Sequence, residues 1–110
     1  MAADKAQIVP GTLEMLVLKT VSLEPMHGWG IGERIQDLSR ELLTVNQGTL
    51  YPTLERLLRA GMITPEWRVT ENSRRARYYH ITRSGLKYLE AERQEWELSS
   101  RAVNLILRTT

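Results

Sequence analysis

The chain has 110 residues, of which 42% are hydrophobic and 25% are charged, with 15 Lys and Arg against 13 Asp and Glu. This length and balance are typical of one folded domain and exclude a disordered or fibrous protein. Because there is no cysteine, disulfides, thiolate metal sites and cysteine nucleophiles are excluded as well. Positive charge is concentrated in residues 66–83, which contain five arginines and two glutamates. A segment with this excess of positive charge suits an acidic partner.

The longest apolar stretch near the N-terminus, residues 13–21, is interrupted by Glu14 and Lys19. It is too short to span a bilayer. Residues 1–7 do not form the charged start of a secretion signal, and no small-residue cleavage pattern follows the apolar run. We therefore expect a cytoplasmic protein with no membrane partner.

Apolar residues at helical spacing predict a first helix that begins at Thr12, a candidate N-cap, and ends before Pro25. A second helix is predicted to open through residues 26–32, which hold three glycines around Trp29. Small residues there would let another backbone approach closely. This second helix is expected to end near Ser39 or Arg40.

A third periodic set predicts a short helix, and its members are Leu50, Leu54, Leu57 and Leu58. Gly61 is well placed as the left-handed residue that follows a helix C-terminus. Pro52 lacks an amide hydrogen and is expected within the first turn. The helix therefore starts between Asn46 and Thr49, and either residue could be its cap.

After Gly61 the apolar period changes from helical to alternating, which predicts two strands joined as an antiparallel hairpin. The first run places Ile63, Trp67 and Val69 on one face, and the second run extends to Ile81. Residues 71–75 are polar enough to form the connecting loop. Pro65 in the first run favours an edge position for that strand.

Residues 84–108 predict a long helix with a heptad-like seam that consists of Leu86, Leu89, Arg93, Trp96, Ser100, Val103 and Leu107. A helix of about 25 residues is about 38 Å long, whereas a body of about 80 residues is about 26 Å wide. Part of the apolar stripe must project beyond the body. A second copy of the chain is its natural cover, so we expect a homodimer.

Three short helices followed by a hairpin with an arginine-rich loop form the winged helix-turn-helix order. We predict a mainly α fold with a small β-hairpin, divided into a flexible N-terminal arm (1–9), a DNA-binding domain (10–83) and a C-terminal dimerisation helix (84–110). The third helix would enter the major groove. The wing arginines, Arg74, Arg75 and Arg77, would contact the neighbouring phosphates.

Several segments resemble the PadR family of transcriptional regulators. They are residues 27–31 opening the second helix, residues 48–52 opening the third, Leu54, Arg56, Leu57 and residues 61–63 at its end, residues 74–79 in the wing, and residues 81–85 at the junction with the last helix. The resemblance covers roughly residues 10–108. It is closest to the compact subgroup in which a single long helix forms the dimer.

The resemblance implies a repressor of stress, detoxification or efflux genes. A dimer that presents its two third helices to one duplex predicts an inverted repeat in double-stranded DNA as its binding site. The DNA-contacting residues would be Asn46, Gln47, Thr49, Tyr51, Arg56, Arg74, Arg75 and Arg77. In some relatives a planar aromatic effector binds at the dimer interface, where a tryptophan stacks on it. The corresponding interface here would include Leu89, Arg93, Trp96, Ser100 and Val103.

Some residues allow two interpretations. Tyr51 could be a core aromatic or a DNA contact, and Trp96 could be a dimer-core residue or a ligand platform. Trp29 and Trp67 are expected in the core. The only histidines, His27 and His80, lie in different predicted elements without acidic neighbours at ligand spacing, so no metal site is expected.

The sequence contains no nucleophile elbow, no phosphate-binding glycine loop and no acid and base pair. We therefore expect neither an enzyme nor a bound cofactor. The alternative to a DNA-binding regulator is a winged-helix protein-interaction module, in which the wing arginines bind an acidic protein instead of DNA.

Overall fold

The computed structural model of the protein describes residues 5–110, so positions 1–4 of the expected N-terminal arm lie outside the described residues. Its elements in chain order are α1 (Leu13–Leu23), β1 (Met26–His27), α2 (Gly28–Leu38), α3 (Gln47–Arg59), β2 (Ile63–Val69), β3 (Arg75–Ile81) and α4 (Arg83–Leu107). The strands form one antiparallel sheet in the order β1-β3-β2. This arrangement is the predicted winged helix-turn-helix with one long C-terminal helix.

The core lies where α1, α2 and α3 meet the base of the sheet. Its most completely buried hydrophobic side chains are Val17, Leu18, Ile31, Leu50, Leu54, Leu57 and Ile63. The leucines at positions 50, 54 and 57 recur at helical spacing, so one side of α3 is buried and the opposite side remains free. Burial of each such side chain contributes about 1.5–3 kcal/mol to folding, which fixes the orientation of α3.

The N-terminus of α3 is capped by Asn46, whose Oδ1 accepts a hydrogen bond from the Gly48 amide at 2.7 Å. The structure thus decides between the two candidate caps. Pro52 is the sixth residue of α3 and lies in the second turn, so its expected place in the first turn is wrong. Its missing amide deprives the Gly48 carbonyl of its helical donor on an exposed side, where water can replace it.

The strand β1 was not predicted from the sequence. Met26 and His27 pair with Tyr79 and Tyr78 of β3, and two residues are too few to show an alternating pattern. β1 and β2 pair with opposite sides of β3, so β3 is the central strand and β2 is an edge strand. Pro65 correctly predicts this edge position.

The first half of α4 packs on α1, and its second half extends beyond the body, so that the chain measures 57 Å along its longest axis. Thr82 caps the helix by accepting a hydrogen bond from the Gly85 amide at 3.0 Å. Gly85 is buried in close contact with the preceding segment: a Cβ on it would lie 2.2 Å from the Met62 carbonyl oxygen. The start of α4 therefore needs a residue without a side chain.

Residues 5–9 run beside the loop that follows α2. The Ala6 amide donates a hydrogen bond to the Leu42 carbonyl at 2.7 Å, and Lys5 Nζ donates to the Glu41 carbonyl at 2.8 Å. Ile8 packs against the core. This part of the N-terminal segment thus borders α1 and contributes to the surface near α4.

Over residues 5–110, none of the helices combines the length and the apolar character that crossing a membrane requires. Within the same part of the chain, no three His, Asp or Glu side chains gather as a metal site would need.

Candidate nucleic-acid interface

The free side of α3 faces away from the core. Gly48, Thr49, Tyr51, Pro52 and Glu55 are all exposed there. Gln47 differs from them, because it is half-buried and its side-chain amide lies against α2, where a Cβ on Gly32 would be 3.3 Å from Nε2. The first two turns of α3 therefore present a narrow polar ridge, which is the shape that a major groove accepts.

Tyr51 lies on this ridge and not in the core, since 46% of its surface is exposed. Its ring rests on the start of α2, and a Cβ on Gly28 would approach Cε1 to 2.8 Å and the hydroxyl oxygen to 3.0 Å. Glycine at position 28 thus leaves room for the ring between α2 and α3. The phenol hydroxyl is placed where the two helices of the helix-turn-helix meet.

The first turn of α2 lies beside Tyr51 and carries Trp29. His27 caps this helix, and its Nδ1 accepts a hydrogen bond from the Gly30 amide at 3.0 Å. The expectation that Trp29 belongs to the core is wrong, because it is 58% exposed. The neighbouring Gly28, Gly30 and Ile31 occupy the buried side of the turn, which leaves position 29 pointing outward.

The wing consists of β2, β3 and the loop between them. Arg74 lies in the loop, and the strand register places Arg75 and Arg77 opposite Val69 and Trp67 on one face. The guanidinium of Arg77 is 3.6 Å from the Glu55 carboxylate of α3, measured from Nη1 to Oε1. This contact shows that the arginine-bearing face of the wing is the one that adjoins the free side of α3.

The opposite face of the wing is electrostatically balanced. Glu66 Oε1 lies 2.7 Å from His80 Nε2 and 2.7 Å from Arg68 Nε. The hydrogen bond with His80, followed by that with Arg68, lowers the pKa of the Glu66 carboxyl below its ordinary value. The carboxylate therefore offsets positive charge on this face, and the less compensated arginines lie on the α3 side.

Arg56 lies on another side of α3 from Tyr51 and Glu55. Its Nε pairs with Glu14 Oε1 of α1 at 3.1 Å, and its Nη2 donates to Thr53 Oγ1 at 3.0 Å. The structure does not bring Arg56 together with the wing arginines. Its observed contacts hold α3 against α1, a connection between distant positions that no local pattern indicates.

The residues expected at a dimer or effector interface all lie on α4 and differ in how far their own chain covers them. Leu89 is 8% exposed and packs in the core of its own chain, so it offers little surface to a partner, contrary to expectation. Arg93 pairs with Glu90 at 2.8 Å and with Glu97 at 2.9 Å along the same helix. Beyond these residues, Val103 is exposed and Ser100 is half-buried.

Trp96 borders an apolar groove of about 240 Å³ between α4 and the N-terminal part of the chain. The groove is lined by Ala6, Gln7, Ile8, Val9, Thr12, Met15, Leu16, Leu43 and Trp96. Trp96 remains 40% exposed, so its ring is only partly covered by its own chain. Its place beside residues 6–9 depends on the packing of α1 against α4.

Known proteins resemble this chain both in sequence and in architecture. The model of the transcriptional regulator PadR-like family matches residues 17–91. A transcriptional regulator of Mycobacterium tuberculosis is 41% identical over 68 residues, which are 62% of this chain and 63% of that protein. The chain thus covers slightly less than two thirds of that relative's length.

Two solved structures are similar over almost their whole length. A transcriptional regulator from Clostridium thermocellum has a TM-score of 0.81 at 28% identity, covering 89% of this chain and 95% of that one. A PadR-like transcriptional regulator from Bacillus cereus has a TM-score of 0.78 at 29% identity, covering 91% and 95%. The family match runs from within α1 to within α4, so it includes α3 and the wing. The chain therefore belongs to the PadR-like family of DNA-binding transcriptional regulators, whose members are not enzymes.

Proposed function

We propose that the protein is a homodimeric repressor that binds an inverted repeat in double-stranded DNA and releases it when a planar aromatic molecule binds. The observation that carries the DNA-binding part is the adjacency of the polar ridge of α3 and the arginine-bearing face of the wing, joined by Arg77 and Glu55. A ridge of this kind suits the major groove, and the wing arginines suit the flanking phosphates.

The proposed DNA contacts come from the N-terminal half of α3 and from the wing. They are Asn46, Gln47, Thr49, Tyr51, Arg74, Arg75 and Arg77. Asn46 already uses its Oδ1 as the helix cap, which leaves its side-chain NH₂ for DNA. Arg56, paired with Glu14, acts by holding α3 in position.

The proposed dimer forms through α4, while residues 10–83 act as the DNA-binding unit. The last turns of α4 expose Val103, Ile106 and Leu107 on one side of the helix, each more than half accessible. A long helix with this much exposed apolar surface is stabilised when a second copy covers it. A two-fold dimer would then present two copies of α3 to one duplex.

DNA binding is tested with a random-sequence duplex over a range of salt concentrations. Each phosphate contact contributes about −0.9 to the slope of log affinity against log salt. We expect a steep slope for the wild type, and a slope shallower by about 2 to 3 for the Arg74→Ala, Arg75→Ala, Arg77→Ala triple variant. Arg101→Ala on α4 is the matched control. A wild-type slope near zero would favour the protein-interaction module.

Sequence-specific binding is tested by footprinting on the promoter of the regulated gene. We expect an inverted repeat whose half-sites are separated by about 34–36 Å or a multiple of it, and a single asymmetric site would contradict the dimer model. Deletion of the regulator should raise transcription from that promoter, whereas a fall would identify an activator.

The effector proposal is supported by the apolar groove that Trp96 borders. In a protein with Trp29→Phe and Trp67→Phe, Trp96 is the single remaining tryptophan. We expect proflavine, a planar aromatic cation, to quench its fluorescence in the absence of DNA, because aromatic rings stack on an exposed indole. Restoring Trp29 and removing Trp96 should abolish the saturable quenching, and the same quenching from Trp29 would refute the site.

A further inference from the structure

Trp67 is an exposed aromatic residue in the wing. The alternation along β2 predicts it in the core, yet 59% of its surface is accessible and the next residue on that face, Val69, is 68% accessible. Both lie beyond the base of the wing, where Ile63 and Tyr79 reach the core. Since nothing in the described chain covers the ring fully, fold stability alone does not account for tryptophan at this position.

The ring of Trp67 holds Arg75. The guanidinium carbon of Arg75 is 5.0 Å from the centroid of the Trp67 ring, within the range of a cation–π contact. A guanidinium that stacks on an aromatic ring uses its flat face, so its N–H groups, which lie in its plane, stay available to hydrogen-bond acceptors.

Arg75 also differs from the other arginines of β2 and β3 in its charge environment. Arg77 lies 3.6 Å from the Glu55 carboxylate, and Arg68 lies 2.7 Å from that of Glu66. Over residues 5–110, no carboxylate lies within 4.0 Å of the Arg75 guanidinium. Arg75 is therefore the uncompensated strand arginine on the face that adjoins α3.

We propose that Trp67 is a positioning residue of the wing, which holds the Arg75 guanidinium for a bidentate contact with a phosphate of the DNA backbone. The inference rests on the proposed DNA binding and assigns different roles to the two strand arginines. Arg75 makes the main strand contact, while Arg77 is retained by Glu55. A guanidinium already held in one orientation loses less rotational freedom when the phosphate binds.

The test is a double-mutant cycle on a fluorescently labelled random-sequence duplex, measured by anisotropy at one low salt concentration. The variants are Trp67→Ala, Arg75→Ala and the pair. We expect each single variant to bind about 3- to 10-fold more weakly, and the pair to be no weaker than Arg75→Ala alone. Trp67→Tyr retains an aromatic face and should recover most of the loss in Trp67→Ala.

The matched control is Arg68→Ala, because Arg68 stacks on Tyr78 at 4.9 Å on the opposite face and is paired with Glu66. Arg68→Ala should change the affinity for the duplex by less than twofold. Equal losses in Arg68→Ala and Arg75→Ala, additive losses in the cycle, or failure of Trp67→Tyr to recover binding would each overturn the inference. Those results would leave DNA binding intact, whereas a wild type that does not bind any duplex would refute both proposals. Thermal melting of every variant identifies losses that come from unfolding, and Trp67→Tyr keeps the test valid if Trp67→Ala does not fold.

Discussion

A Val103→Asp, Leu107→Asp variant is expected to be a folded monomer that binds the inverted repeat at least about 100-fold more weakly than the wild type. Both side chains lie on the projecting half of α4 and are more than half exposed in the single chain. Carboxylates there cost little in the monomer. In a dimer they would be buried beside apolar groups, which is strongly unfavourable.

The expected loss of affinity follows from the linkage of two half-sites. In a dimer, binding of one DNA-binding unit raises the effective concentration of the second, which strengthens overall binding by about 10²- to 10⁴-fold. A monomer loses this gain while each single half-site contact is kept. The effect should therefore be large on the inverted repeat and small on a single half-site.

Light scattering after gel filtration measures the oligomeric state at micromolar concentration, and anisotropy measures operator binding. Arg101→Asp is the matched control, because position 101 is separated from Val103 by about 200° around the helix. The control should remain a dimer. If the double variant also stays dimeric, or if it binds the inverted repeat as tightly as the wild type, α4 is not the dimer contact.

Gly85→Ala is expected to reduce the free energy of unfolding by about 1–2 kcal/mol, because overpacking of this buried site costs about 2–3 kcal/mol before the helix propensity of alanine is counted. The added Cβ would lie 2.2 Å from the Met62 carbonyl oxygen and 2.8 Å from Ile81 Cγ1. The first of these is a backbone atom that also accepts the Thr82 amide, so it cannot move without disturbing the cap of α4. The better helix propensity of alanine offsets about 1 kcal/mol, less than the steric cost.

Urea unfolding at a fixed protein concentration measures this change, since the stability of the proposed dimer depends on concentration. Ser84→Ala is the matched control, because residue 84 is exposed in the same turn. It should alter the free energy of unfolding by less than about 0.5 kcal/mol. Wild-type stability in Gly85→Ala would mean that α4 can shift away from Met62 at little cost.

The helices and the hairpin could be predicted because their signals are local. The leucines of α3 recur at helical spacing and are buried together, and Pro65 correctly marks an edge strand. The wing arginines were identified as a group by their density along the chain. The pairing of Arg77 with Glu55 and of Arg56 with Glu14 could not be predicted, because 22 and 42 positions separate the partners.

The errors concern residues whose burial depends on the rest of the fold. Trp29 and Trp67 are apolar and were assigned to the core, yet the surrounding structure covers less than half of either residue. Leu89 belongs to the seam of α4 but is covered by its own chain, because that half of the helix packs on α1. Hydrophobicity predicts that a residue can be buried, and the amount of neighbouring structure determines whether it is.

The amino-acid sequence alone determined the order of the four helices and the hairpin, the family, and the length of α4, because periodicity and short motifs are carried by neighbouring residues. Only the tertiary structure decided that Asn46 caps α3, that Tyr51 rests on Gly28, and that the arginine-bearing face of the wing adjoins α3. These features depend on distances between segments far apart in the chain, which packing of the common core sets and local sequence does not.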